Sequence, residues 1–206
     1  MERISFEHNI PDGFKLDKHI NALDKKFGII FNIIALAVIA VVMAIAFIPL
    51  IAGGGFSIPK SSPIEFFITW IVFMATMVAY IILHELAHGA AYKLLTREKL
   101  TFGISWSCAF CGVPHIYTYK KTALIAVATP LVLFTLVFLP LTVILYSVNP
   151  IYYLLSAFLL GMHLGGCSGD GYVIILLLFK YRKKRVLMKD TGPAQSFYVA
   201  TDKEEN

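Results

Sequence analysis

The chain has 206 residues, 58% of them hydrophobic and 15% charged, with a formal net charge of +5 and a mean hydropathy of +0.73. That balance leaves too little polar surface for a soluble domain of this length and points to a membrane protein. The basic residues lie beside apolar segments, which fits membrane topology and anionic lipid and excludes nucleic acid as the expected partner.

Residues 1–27 are polar and mixed, so no cleavable signal peptide is expected. They read as a cytoplasmic segment. Within it, FKLDKHINALDKKF (14–27) places Leu16, Ile20, Leu23 and Phe27 at helical spacing. This predicts an amphipathic helix at the membrane surface, although the same pattern suits a helix packed on another part of the protein.

A transmembrane core is expected over 28–180. Its spans cover about 28–52, 64–95, 122–146 and 151–179, where a bilayer needs about 20 apolar residues. GGGFSIPKSSP separates the first two, and Asn149-Pro150 separates the last two. The fourth is interrupted by GGCSGDG. Lys25, Lys26, Lys93, Arg97, Lys99, Lys120, Lys121, Lys180, Arg182, Lys183, Lys184 and Arg185 all fall on one side, against Lys60 on the other. Both termini are therefore expected in the cytoplasm. Residues 181–206 are a basic, then polar, cytoplasmic tail.

Between the second and third spans, Leu100, Phe102, Ile104, Trp106, Cys108 and Phe110 alternate with small or polar residues. A period of two means a strand. CGVP supplies turn residues and HIYTY a returning strand, which gives a membrane-associated β-hairpin over about 99–120. SFYVAT (196–201) is a further β-like run that could join the same sheet. The expected fold class is thus an all-α polytopic membrane protein with about four transmembrane helices and one short β-hairpin.

The second span ends in HELAHG. Positions i and i+4 share a helix face, so His84 and His88 can point at one metal ion, while Glu85 is rotated off the ligand axis and can reach a water. This is the zinc-protease arrangement of two histidine ligands and a glutamate base. Zinc makes hydroxide available near neutral pH. An ionisable group at the centre of a spanning helix costs about 2.5–3.5 kcal/mol, so such residues usually face the bundle interior and act there.

A catalytic zinc wants a third protein ligand. Asp170, in GCSGDGY, is the leading candidate. Ile64 to His84 and Ile151 to Asp170 are nearly equal distances along spans of the same direction, so the groups share a depth near the cytoplasmic end. Gly165, Gly166, Gly169 and Gly171 would let the helix break or a neighbour approach. His163 is the alternative ligand, or a hydrogen-bonding partner; Cys167 reads as a packing residue. Three cysteines make no disulfide framework. Cys108, Cys111 and His115 invite a metal or redox reading but lack the second ligand pair of a finger or ribbon, so plain side chains at a hairpin tip are expected.

On HELAHG, the β-like segment after it and GCSGDGY, the chain resembles a bacterial domain-of-unknown-function family of membrane zincin peptidases, itself similar to the site-2 intramembrane metalloproteases. The resemblance runs from span one to the basic tail. It implies Zn2+ on His84, His88 and Asp170, with Glu85 as catalytic base. It also implies multi-pass residence in a bacterial cytoplasmic membrane. The expected reaction is hydrolysis of peptide bonds in membrane-anchored proteins or peptides near the cytoplasmic face. One feature departs from the site-2 pattern: Asn149-Pro150 lies too far from Asp170 to match the asparagine and proline that precede the family's aspartate. Thr129-Pro130 offers a place where span three could kink near the site. The rivals are a non-catalytic protein that binds metal or membrane partners, which the intact Glu85 disfavours, and a metal transporter, which the lack of a polar relay disfavours.

Overall fold

The computed structural model describes residues 6–53, 62–105 and 109–201. The elements are β1 (Phe6–Glu7), β2 (Phe14–Asn21), α1 (Lys25–Ala52), α2 (Pro63–Thr96), β3 (Thr101–Ile104), β4 (Ala109–Gly112), β5 (Tyr117–Tyr119), α3 (Lys120–Tyr146), α4 (Pro150–Gly166) and α5 (Ser168–Ile175). A π-helical turn (Leu176–Lys180) continues α5, and β6 (Val186–Asp190) and β7 (Ala194–Ala200) follow. Two units result. One comprises Met1–Ile30, His84–Pro130 and Gly169–Asn206; the other comprises Phe31–Leu83 and Leu131–Ser168.

Among its described residues the second unit is built from helices alone. α1, α2 and α3 are each long and apolar enough to cross a membrane, and α4 with α5 makes a fourth only if that broken pair is one span. Ile33, Leu36, Ile48, Ile71 and Leu136 are more than 60% exposed. An outward apolar surface of this extent suits hydrocarbon rather than water. The ends of the helices are built locally. Ser62 and Glu65 form a capping box at α2, with Glu65 N–H donating to Ser62 Oγ and Ser62 N–H to Glu65 Oε2, and Pro63 takes the first helical position. Asn149 caps α4 by accepting from the Ile151 N–H at 2.8 Å. Inside the unit, Phe73, Tyr80, Phe138, Leu159 and Leu160 form one buried cluster. Of the glycines around the break, Gly165 meets the α1 backbone at Ala35, whereas Gly166 and Gly171 face open space.

The first unit overturns the expected all-α class. The chain is mixed α/β, with seven strands in two antiparallel sheets among the described residues. The five-stranded sheet has the order β1-β5-β6-β7-β2, and β3 pairs with β4 in a separate two-stranded sheet. HIYTY therefore supplies β5 of the larger sheet rather than the return of the hairpin. The hairpin partner of β3 is Ala109–Gly112, in register from Thr101↔Gly112 to Ile104↔Ala109. SFYVAT does lie in a strand, but it pairs with β2 and β6. Hydropathy misjudged the class because apolar helices dominate composition, while short strands become evident only with their partners.

The expected helix at 14–27 is also corrected. Residues 14–21 are a strand paired along β7, from Phe14↔Ala200 to Asn21↔Ala194, and helix begins only at Lys25. The register shifts between Leu16 and Lys18. Because one extra residue flips the faces that follow, Leu16 and Ile20 point to opposite sides. Leu16 is 56% exposed and Ile20 is 2% exposed. The i, i+4 spacing imitated a helix while its two members served different faces. β6, at the centre, is buried on both faces through Val186, Leu187 and Met188.

The bulged Asp17 leaves the ladder and accepts from Lys180 Nζ and the Tyr181 hydroxyl. These hydrogen bonds, Lys180 foremost, hold its carboxyl below the ordinary value of 3.8. The folded chain thus binds this proton less readily than the unfolded chain. The stabilisation is complete above about pH 3.8 and is lost as pH falls through the depressed value. Asp17→Asn should remove that acid-side component, by a modest amount because the pair is partly exposed. Thermal unfolding of both forms across acidic pH checks it; identical acid profiles would show that the pair contributes nothing.

Candidate metal centre

His84, Glu85 and His88 lie on α2, and Asp170 lies in the first turn of α5. All four belong to the first unit. The break at Cys167 starts a new helix at Ser168, two residues before Asp170, which places the carboxylate in a first turn, where negative charge is favoured. His84 Nε2 is 3.3 Å from Asp170 Oδ2, and His88 Nε2 is 3.5 Å from Oδ1. The two imidazole rings are 5.0 Å apart at 76°. One donor atom from each of the three residues lies within 4.8 Å of the others. Tetrahedral zinc with bonds of about 2.0–2.2 Å separates its donors by roughly 3.3–3.6 Å. The imidazole–carboxylate set therefore fits that ion in chemistry and spacing. Glu85 stands half-buried beside it on the same helix.

The ring of His88 is oriented from behind. Its Nδ1 is 3.0 Å from the carbonyl oxygen of Ala126 on α3. A carbonyl only accepts, so Nδ1 carries a proton, and Nε2 is the nitrogen turned toward Asp170. With Nδ1 engaged in this way, Nε2 is the atom left for a metal. Ala126 belongs to a buried cluster with Ala91, Tyr92, Val113 and Ile116. One turn after His88, the Tyr92 hydroxyl donates to Asp190 Oδ2 at 2.7 Å. Asp190 also accepts from the Gly192 N–H at 2.9 Å, and its own carbonyl accepts from Val113 N–H at 2.9 Å. Burial pushes the Asp190 carboxyl above its ordinary range, with the Tyr92 hydrogen bond opposing the shift. The β6–β7 turn is thereby tied both to α2 and to the exit of β4.

The sequence pointed to none of these supporting contacts. A signal existed for two of them: Tyr80, His84, His88 and Tyr92 recur every four residues on α2, which puts polar side chains on one buried stripe. Tyr80, in the second unit, bonds His163, the alternative ligand expected from the sequence. His163 is fully buried there, with Nδ1 2.9 Å from the Tyr80 hydroxyl and Nε2 3.0 Å from Thr135 Oγ1 and 3.2 Å from the Leu131 carbonyl. Cys167 Sγ lies 3.7 Å from His163 Nδ1. Cys108 lies outside the described residues. Cys111 is buried on β4, and burial, helped by the Asp190 carboxylate, pushes its thiol up to about 12. It stays protonated and offers no thiolate.

A family described as "putative zincin peptidase" matches residues 76–186, more than half of the chain and all four candidate site residues. No curated protein and no solved structure matches the chain.

The hairpin is seated against the histidine helix. A Cβ at Gly89, next to His88, would stand 2.7 Å from the Phe102 ring. Gly89→Ala should destabilise the protein by about 1–3 kcal/mol through overpacking. Phe102→Leu in the same chain should recover much of that loss. Detergent unfolding of the two single variants and the double variant measures the coupling; strictly additive effects would mean that Phe102 does not press on Gly89.

Proposed function

The chain belongs to this zincin peptidase family, and from that premise we propose that it is a zinc-dependent intramembrane metalloprotease of the site-2 type. The observation that carries the reading is the convergence of donor atoms from His84, His88 and Asp170. These three residues are the proposed metal ligands, and Glu85, beside them on the same helix, is the proposed catalytic base. Zinc, when bound, supplies a Lewis acid that polarises the scissile carbonyl and activates water at neutral pH. Glu85 takes a proton from the attacking water and returns it to the leaving amine. The hydrogen bond from His88 to Ala126 keeps the ring from rotating while the carbonyl is attacked.

The proposed substrate is a membrane-anchored protein or peptide. Among the described residues β3 pairs with β4 alone, so its outer edge offers backbone groups to an extended segment. That matters because a peptide bond inside a helix is shielded and must be unwound before attack. Ile104 and Phe102 on β3 are exposed and suit an apolar substrate from lipid. The three long apolar helices among the described residues and the bias of lysine and arginine support a multi-pass protein of a bacterial cytoplasmic membrane with both termini inside.

Two substitutions test the reading. Glu85→Gln should retain stoichiometric zinc and abolish cleavage of a co-expressed membrane-anchored substrate; equal cleavage would remove Glu85 from the mechanism. If no substrate is cut by wild type either, a metal-binding protein without catalysis becomes the better description. Asp170→Ala should reduce bound zinc by tenfold or more, on the order of what loss of a metal-site group costs. Elemental analysis of purified protein reads this directly, and full zinc occupancy in the variant would exclude Asp170 as a ligand.

A further inference from the structure

Helix α3 runs unbroken from Lys120 to Tyr146 although residue 130 is proline. In an α-helix the N–H of residue i closes onto the carbonyl of residue i−4. Proline has no N–H, so the carbonyl of Ala126 loses its helical donor. Ala126 is fully buried, and a buried carbonyl without a donor is costly. The atom that reaches it is Nδ1 of His88, at 3.0 Å. Ala126, Pro130 and His88 all lie in the first unit.

We infer that Pro130 is a positioning residue of the metal centre: by withholding an N–H from the Ala126 carbonyl, it reserves that acceptor for His88 and so sets the tautomer and rotation of a proposed ligand. The inference rests on the metal-centre reading given above. An ordinary residue at 130 would supply an intrahelical donor competing with His88 for the same oxygen. The helix would gain a hydrogen bond, while the imidazole would lose exclusive use of the group that orients it.

The two consequences have opposite signs, which separates positioning from general stability. Pro130→Ala, made in the full chain in detergent, should raise the Tm, since proline is the least favourable residue in a helix interior. It should also weaken Co2+ binding by about tenfold, as loss of a partner to a metal-binding histidine does, and shift the visible absorption of the cobalt form. A backbone ester at 130, with lactic acid in place of the amino acid, again lacks an N–H and should restore the wild-type cobalt affinity and spectrum. Pro140→Ala, in the same helix but in the second unit, should leave both unchanged. Wild-type affinity and spectrum in Pro130→Ala would overturn the inference while leaving the metal centre intact, as would an ester form that behaves like Pro130→Ala. Absence of cobalt binding in wild type would overturn the metal centre itself, and the role of Pro130 with it.

Discussion

The carboxylate of Asp170 sits between two imidazoles that belong to a different helix, and that contact draws the first unit together. His84 and His88 come from α2, and Asp170 from the start of α5, 82 residues further along the chain than His88. Each is a polar group in an apolar stretch, where an unpartnered side chain is costly. Each finds the other's complementary charge or lone pair within about one metal's reach. The arrangement needs α5 to begin just before Asp170, and the break at Cys167 provides that start. A continuous fourth helix would give the carboxylate no helix N-terminus to sit on.

Much of the first unit buttresses these two helix segments. The five-stranded sheet is completed at one edge by pairing between β2, near the N-terminus, and β7, near the C-terminus. From that sheet, Asp190 reaches Tyr92 on α2, one turn past His88, and Asp17 reaches Lys180 and Tyr181 at the end of the turn that follows α5. The hairpin adds a third support, with Phe102 over Gly89. Strands that look peripheral in the sequence therefore hold the segments that carry His88 and Asp170. Among the described residues the small sheet has an open edge at β3, whereas the larger sheet ends at β2, whose bulge and lysines discourage further strand pairing.

The helices depart from regularity where the chemistry is proposed. α4 and α5 are separated at Cys167, α5 ends in a π-helical turn, and α3 carries Pro130 beside the carbonyl that His88 uses. Such local faults are expected at functional sites, where a free backbone group or a turned helix axis is useful and the surrounding packing offsets the cost. His163, in the helical unit, shows the same offsetting of a buried polar group by its surroundings. Its two ring nitrogens are engaged by Tyr80, Thr135 and Leu131, so a buried imidazole in the helical unit is satisfied by its neighbours.

What could be read from the sequence was local or one-dimensional. The long apolar runs give spans because a bilayer imposes a length, and the breaks at Ser62-Pro63, Asn149-Pro150 and Cys167 follow from capping chemistry and glycine. HELAHG implies two imidazoles on one face because the helix period is fixed, and matching depth brought Asp170 into the candidate set. The strands outside the hairpin region, β2 above all, could not be read this way. Phe14 to Asn21 is a strand because β7 lies beside it, almost 180 residues away, and its bulge erased the alternation that would have marked it. Nor could the sequence show that Ala126 offers its carbonyl to His88, or that Asp190 holds Tyr92. Hydrogen bonds of that kind depend on which backbone and side-chain groups are left unpaired once distant segments pack, and only the tertiary structure decides that.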